Sequence, residues 1–269
     1  MTPPPWDQHP MLQAVQELGP MIDRLADRIE ADRRLPRELT DALTDARVFQ
    51  MYQPRSSGGP EVHPLTGMAV CEELARIDGS VGWCAQVSAA VTIFLAWLDP
   101  DGLADMVAIT EAPLHVAGSA RPLGTATRID GGYRVSGHWN FASGVAHANW
   151  FLATCFIEPE LVGDGAPGAG RPGDGRAGDG RAGDGRAQRF AKSMLVPIDD
   201  GAIVANWDVV GMRGTGSDDF VLDEVFVPTN RTGARRWIER RTEPLYNPDL
   251  MMVATWAPTA GVALGLARG

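Results

Sequence analysis

Cysteine is scarce: Cys71, Cys84 and Cys155 are the only three in 269 residues. Their number is odd, their spacing is wide, and no CxxC occurs. A disulfide scaffold or a paired-cysteine zinc site is therefore not expected, and the usage points to a reducing, cytoplasmic location. Basic residues are also short, with 24 Lys and Arg against 34 Asp and Glu, which leaves a net charge of −10. A chain this acidic has no general attraction for phosphate backbones or anionic lipid, so neither nucleic acid nor a membrane is an expected partner. The opening Met1-Thr2-Pro3-Pro4-Pro5 lacks the basic and apolar regions of a signal peptide. No GxSxG elbow, HExxH or Walker A lysine loop is present. The five histidines, His9, His63, His115, His138 and His147, contain no pair at helical metal spacing, and no metal site is expected. GxGxxG does occur, starting at Gly163, Gly168, Gly173 and Gly178. It lies inside a repeating Gly-Asp-Gly-Arg-Ala tract with no strand before it and no helix after it, so it is not a dinucleotide fingerprint.

What remains is ordinary for a globular protein: 44% apolar and 22% charged residues. The first third reads as helix. Leu12, Val15, Leu18, Ile22, Leu25 and Ile29 recur at three- and four-residue spacing, with Gly19-Pro20 a potential kink. Pro36 opens a second helix carrying Leu39, Leu43 and Ala46 on one face. Further helices are expected over 65–76, 80–98 and 101–109, with Asp78 and Asp99 as caps. Residues 80–98 and 251–267 carry no charge, and both fit a buried helix better than a bilayer span. The pattern changes after Pro113. Strands are expected over 125–129 and 133–137, joined by Asp130-Gly131-Gly132, and again over 149–157, 191–198, 202–210 and 220–227. No helical pattern separates them, so the sheet should be mostly antiparallel. The expected class is α+β: a helical domain over 1–112, a β-domain over 113–230 with a low-complexity insert at 159–189, and a helical start over 231–269.

Three clusters carry chemistry. Asp78-Gly79-Ser80-Val81-Gly82-Trp83 is a capped helix start made of small residues; it fits close approach of a flat ligand and equally fits helix packing. Gly137-His138-Trp139-Asn140-Phe141-Ala142-Ser143-Gly144 sets aromatic rings and a hydroxyl beside glycines, as a flat aromatic cofactor requires, or simply ends a hairpin with core aromatics. Gly211-Met212-Arg213-Gly214-Thr215-Gly216-Ser217 is a Gly-rich turn that fits either an anion nest or a tight sheet crossover.

Taken in order, these clusters resemble the acyl-CoA dehydrogenase superfamily, and most closely its two-component flavin-dependent monooxygenase branch. In the dehydrogenases a strand ends in Gly, three residues, Trp, one residue, Thr; the ring packs on the flavin and the hydroxyl contacts N5. Residues 137–143 keep that spacing. The resemblance therefore implies that Phe141 is the stacking aromatic, that Ser143 makes the N5 contact, that Gly144 beside it also belongs to the cofactor site, and that Gly118 and Ser119 meet the pyrimidine edge. Serine at 143 is similar to the monooxygenase branch. The dehydrogenases also carry an acidic Glu-Pro segment where this chain reads Ala117-Gly118-Ser119-Ala120-Arg121-Pro122. Trp83 and His147 are expected on the substrate side.

The implied activity is an oxygenase component that hydroxylates a small, aromatic substrate using O₂ and reduced FMN or FAD supplied by a flavin reductase, in a homo-oligomer (a homotetramer in the family). An acyl-CoA dehydrogenase with tightly bound FAD is a second reading. An inactive fragment of either is a third, because the family's C-terminal helical bundle, which carries the catalytic base, should begin where this sequence stops.

Overall fold

The structure is a computed structural model describing residues 6–110, 112–158, 190–233, 242–247 and 251–269. The low-complexity insert expected at 159–189 lies outside the described residues.

The helical part comprises α1 (Pro10–Asp32), α2 (Arg37–Asp45), α3 (Pro64–Ile77), α4 (Gly79–Thr92) and α5 (Pro100–Ile109), followed at the far end of the chain by α6 (Met251–Arg268). The helix starts are chemically marked. Asp78 Oδ1 accepts from the N–H groups of Ser80 and Val81, and Asp99 Oδ1 from that of Asp101. His9 and His63 cap α1 and α3 through Nδ1, each with proline as the next residue. The α1 helix runs unbroken through Pro20. The uncharged run continues past α4 as a 3-10 turn over Ile93–Trp97, and most of it is buried within the protein. Buried apolar residues of α1 to α4, including Ile22, Leu39, Leu43, Val70 and Val81, form one core with Met251, Ala254 and Val262 of α6.

The α6 helix lies unusually close to α3. A Cβ built on Gly261 would sit 2.2 Å from the Met68 carbonyl oxygen, and one on Gly265 would sit 2.2 Å from that of Glu72. Glycine at these two positions, one turn apart, lets the two backbones touch.

Six strands follow: β1 (Val116–Ile129), β2 (Gly132–Trp139), β3 (Trp150–Ile157), β4 (Ala191–Pro197), β5 (Ala202–Val204) and β6 (Asp219–Pro228). They form one sheet in the order β4-β3-β1-β2-β6-β5. The β1–β2 hairpin turns at Asp130 and Gly131, the latter at φ +76°. Every neighbouring pair is antiparallel except β1 with β3. That exception follows from the connection after β2. Residues 140–149 step over the N-terminal end of β1 and return on its other side, where Val116 pairs with Trp150. The crossing is fixed by Asn149, whose backbone N–H donates to the His115 carbonyl while its Oδ1 accepts from the His115 N–H. The strand expected over 202–210 is shorter. Only Ala202–Val204 pair with β6; beyond them the Asn206 and Trp207 N–H groups turn to the Asp218 carboxylate.

Trp139 explains two glycines of the sheet. A Cβ on Gly124 or Gly137 would meet its indole at 2.3 and 2.6 Å, and that indole donates to the Thr154 carbonyl at 3.2 Å. A second apolar layer, with Leu95, Leu98, Leu103, Met106, Leu114, Val116, Trp150 and Leu195, joins the helices to the sheet.

Candidate flavin site

Three segments meet where the chain steps over β1: the first turns of α4, the crossing loop 140–147, and the loop 205–218 between β5 and β6. The two loops are joined by backbone hydrogen bonds, Ala142 N–H to the Asp218 carbonyl and Gly144 N–H to the Thr215 carbonyl, each 2.9 Å. The second loop is anchored to α1. Arg33 donates to the Trp207 carbonyl at 3.1 Å, and Arg213 lies 3.3 Å from the Glu30 carboxylate while also binding Asp208 at 2.8 Å. At its centre a 3-10 turn, Arg213–Thr215, is flanked by Met212 at φ 58° and Gly216 at φ 49°. Gly214 wedges between α1 and α4, since a Cβ there would meet Ile29 at 2.1 Å and Ser80 at 3.0 Å. Within the turn the Thr215 and Gly216 N–H groups bind the Met212 and Arg213 carbonyls. Those two N–H groups are spent on the turn, which is what the tight-crossover alternative requires, and the Thr215 and Ser217 hydroxyls reach toward Ser143.

Ser143 is the focus of that reach. Its Oγ accepts from Trp83 Nε1 at 3.0 Å and lies 2.6 Å from Ser217 Oγ, which in turn is 2.7 Å from Thr215 Oγ1. Thr215 Oγ1 donates to the Met212 carbonyl at 2.9 Å. Ser143, Ser217 and Thr215 are all buried, so mutual pairing is what makes these hydroxyls tolerable there. Trp83 itself is half-buried.

Phe141 is held in the left-handed region at φ 58° by a tight turn in which the Ser143 N–H donates to its carbonyl. Its ring is 60% exposed, with its edge on Trp207 at a centroid distance of 6.0 Å. Phe141 is thus a large, mostly exposed aromatic held in a conformation that costs about 1 kcal/mol or more. Ser119 stands half-buried on β1, its Oγ accepting from the Arg121 N–H. Arg121 extends to Asn140 beside Phe141, at 3.4 Å. The β1 segment thus shares one end of the sheet with the crossing loop. Gly118 has a packing reason of its own, because a Cβ there would meet Leu152 of β3 at 2.6 Å.

His147 closes the 3-10 turn that ends the crossing loop. Its Nε2 is buried with no hydrogen-bond partner among the described residues, and it approaches the point where a Gly144 Cβ would stand to 3.7 Å. Its ring is 5.8 Å from that of His115, which stacks on Phe49 at 3.8 Å. Burial, with the positive charge of Arg34 adding to it, pushes the His147 pKa down to about 4. Burial, and then His147, likewise hold the His115 pKa well below its ordinary value. Cys84 packs at the same spot with its thiol toward the Thr215 carbonyl, and burial, with Asp78 adding to it, raises its pKa. All three cysteines are free. His138 is exposed and pairs with Asp219 at 2.6 Å.

The close approach anticipated at residues 78–83 is made by protein. A Cβ on Gly82 would meet Ala75 of α3 at 2.5 Å, and one on Gly79 would meet Leu266 of α6 at 2.7 Å. Ser217 and Thr215 are the members of the site for which the sequence suggested no link to Ser143; they come from 74 and 72 residues further along the chain.

Residues 8–98 match the family described as Acyl-CoA dehydrogenase, N-terminal domain. The oxygenase subunit HsaA of a flavin-dependent monooxygenase from Mycobacterium tuberculosis is 32% identical over 84% of this chain and 50% of its own length. The oxygenase component of an FADH₂-dependent resorcinol hydroxylase from a Rhizobium species is 31% identical over 85% of this chain and 51% of its own. The chain thus spans about half the length of these curated relatives. The crystal structure of 3-HSA hydroxylase from Rhodococcus sp. RHA1 superimposes with a TM-score of 0.77 at 28% identity, covering 96% of this chain and 65% of the other. Residues 8–98 are thus an acyl-CoA dehydrogenase N-terminal domain, and the chain is similar in sequence and in fold to flavin-dependent hydroxylases.

Proposed function

We propose that this chain is the flavin-holding part of a two-component monooxygenase, an oxygenase component that hydroxylates a small aromatic substrate with O₂ and reduced flavin received from a separate reductase. The observation that carries the reading is the Ser143 hydroxyl, fixed between Trp83 and Ser217 with one hydrogen-bonding position left over. A flavin ring fits these residues. Ser143 would meet N5, the exposed Phe141 would cover the ring, and Ser119 would serve the pyrimidine edge beside Gly118. Bound there, the reduced flavin supplies the electrons and activates O₂.

The protein's own part is to position and to exclude water. The crossing loop is held by two backbone bonds to the 205–218 loop, so the Ser143 oxygen needs no reorganisation to meet its partner. Trp83, with its N–H already engaged, turns an aromatic wall toward the substrate side. His147 stays neutral with its Nε2 buried, and we assign it to packing the end of the crossing loop against Gly144. FADH₂ dependence in the resorcinol hydroxylase and the oxygenase-subunit description of HsaA support the cofactor and the separate reductase. Buried free thiols are in keeping with a cytoplasmic enzyme. Assembly as a homo-oligomer is part of the same reading.

The test is aeration of photoreduced FMN or FAD with the purified chain, followed by timed assay of H₂O₂. Release slower than from free flavin, and slower than with a Ser143→Ala protein, supports the reading. Release at the rate of free flavin, or bleaching of bound FAD by an acyl-CoA, sinks it.

A further inference from the structure

We propose that Ser217 and Thr215 are positioning residues that hold the Ser143 hydroxyl as an obligate hydrogen-bond acceptor, so that the site favours flavin carrying a proton on N5 over oxidised flavin. The inference rests on the flavin reading above and adds the means by which one redox state is chosen.

The argument is a count of protons. Three hydroxyls bring three protons to three bonds: Ser143 to Ser217 at 2.6 Å, Ser217 to Thr215 at 2.7 Å, and Thr215 to the Met212 carbonyl at 2.9 Å. A carbonyl only accepts, so Thr215 must donate to Met212. Ser217 must then donate to Thr215, and Ser143 to Ser217. Only this orientation satisfies all three. At its other side the Ser143 oxygen meets the Trp83 indole N–H at 3.0 Å, a group that donates and never accepts. The Ser143 proton is committed inward and one of its lone pairs is filled. What remains facing outward is a single lone pair.

That lone pair complements an N–H. Reduced flavin has a proton on N5; oxidised flavin has a lone pair there and repels an acceptor. For Ser143 to donate outward, Ser217 would have to turn toward it and Thr215 toward Ser217, abandoning the Met212 carbonyl. The turn resists this, because Thr215 sits in the 3-10 segment locked between α1 and α4, with its own N–H on the same Met212 carbonyl. The polarity of the site is therefore set at a backbone carbonyl three hydroxyls away from the flavin.

The experiment is anaerobic titration of the whole chain with oxidised and with photoreduced FMN and FAD, for wild type, Ser217→Ala, Thr215→Val and Ser217→Thr. The quantity of interest is the ratio of the two dissociation constants. Wild type should bind reduced flavin more tightly. Ser217→Ala frees the Ser143 proton, and Thr215→Val frees Ser217 to donate to Ser143. Each should lower the ratio about fivefold, the effect of one hydrogen bond, mainly by tightening oxidised binding. The two-electron potential of the bound flavin should fall by about 20 mV in step. Ser217→Thr restores the donor and should restore the ratio. A purely structural role would weaken both redox states equally, so a ratio in Ser217→Ala and Thr215→Val within about twofold of wild type overturns the inference while leaving the flavin site standing. Failure of the wild-type chain to bind either flavin in either state overturns both.

Discussion

Trp83 Nε1 meets Ser143 Oγ at 3.0 Å across 60 residues of sequence. The contact ties the second turn of α4 to the loop that steps over β1, and it places a hydroxyl of the β-domain under the control of a side chain from the helical domain. Trp83→Phe keeps most of the ring and removes the donor. We expect it to cost about 1 to 2 kcal/mol in urea unfolding, because the Ser143 lone pair it leaves is buried. Trp256 is 60% exposed, and Trp256→Phe should change stability by no more than about 0.5 kcal/mol.

The paired histidines make the fold acid-sensitive. His147 has a pKa of about 4 and His115 is held well below 6.5 by burial. In the unfolded chain both take up protons near the ordinary value, so the native state binds fewer. The stability they contribute is complete above about pH 6.5 and is lost as pH falls toward the folded values. For His147 the loss is on the order of 3 kcal/mol. Denaturant unfolding at about pH 7 and about pH 4.5 should show His147→Phe losing less stability than wild type over that interval. An identical slope in the two proteins would refute this origin of the acid sensitivity.

The α3–α6 contact can be tested with a single methyl group. A Gly265 Cβ would lie 2.2 Å from the Glu72 carbonyl and 2.8 Å from the Ala75 Cβ. Gly265→Ala must push the helices apart, and it should lower stability by about 1 to 3 kcal/mol despite the better helix propensity of alanine. Gly211 has no atom within 4 Å of its Cβ position, so Gly211→Ala should leave the melting temperature unchanged. Thermal unfolding of the two variants side by side decides the matter.

What could be read from the sequence was local. Asp78 and Asp99 announced their helices because a cap acts on N–H groups two or three residues away. Asp130-Gly131-Gly132 announced its hairpin for the same reason. His9 and His63 are equally local, each a cap followed by proline at the first helical position, but histidine is a rare cap and the His-Pro pair is not a usual helix-start signal. The parallel pairing of β1 with β3 was not legible, because it depends on where residues 140–149 pass in space and not on the pattern of either strand. The partnership of Ser143 with Ser217 and Thr215 was hidden in the same way. Both loops stood out individually through their glycines and hydroxyls, but the bonds between them exist only once the crossover and the β5–β6 connection lie side by side.

The central claim is that a flavin N5 sits against Ser143. The most direct test is anaerobic binding of photoreduced FMN and FAD to the wild-type chain and to Ser143→Ala, followed by absorbance and fluorescence. Saturable binding to wild type, weakened about tenfold in Ser143→Ala, is the predicted result. Equal affinity in the two proteins, or no binding to wild type, would contradict it.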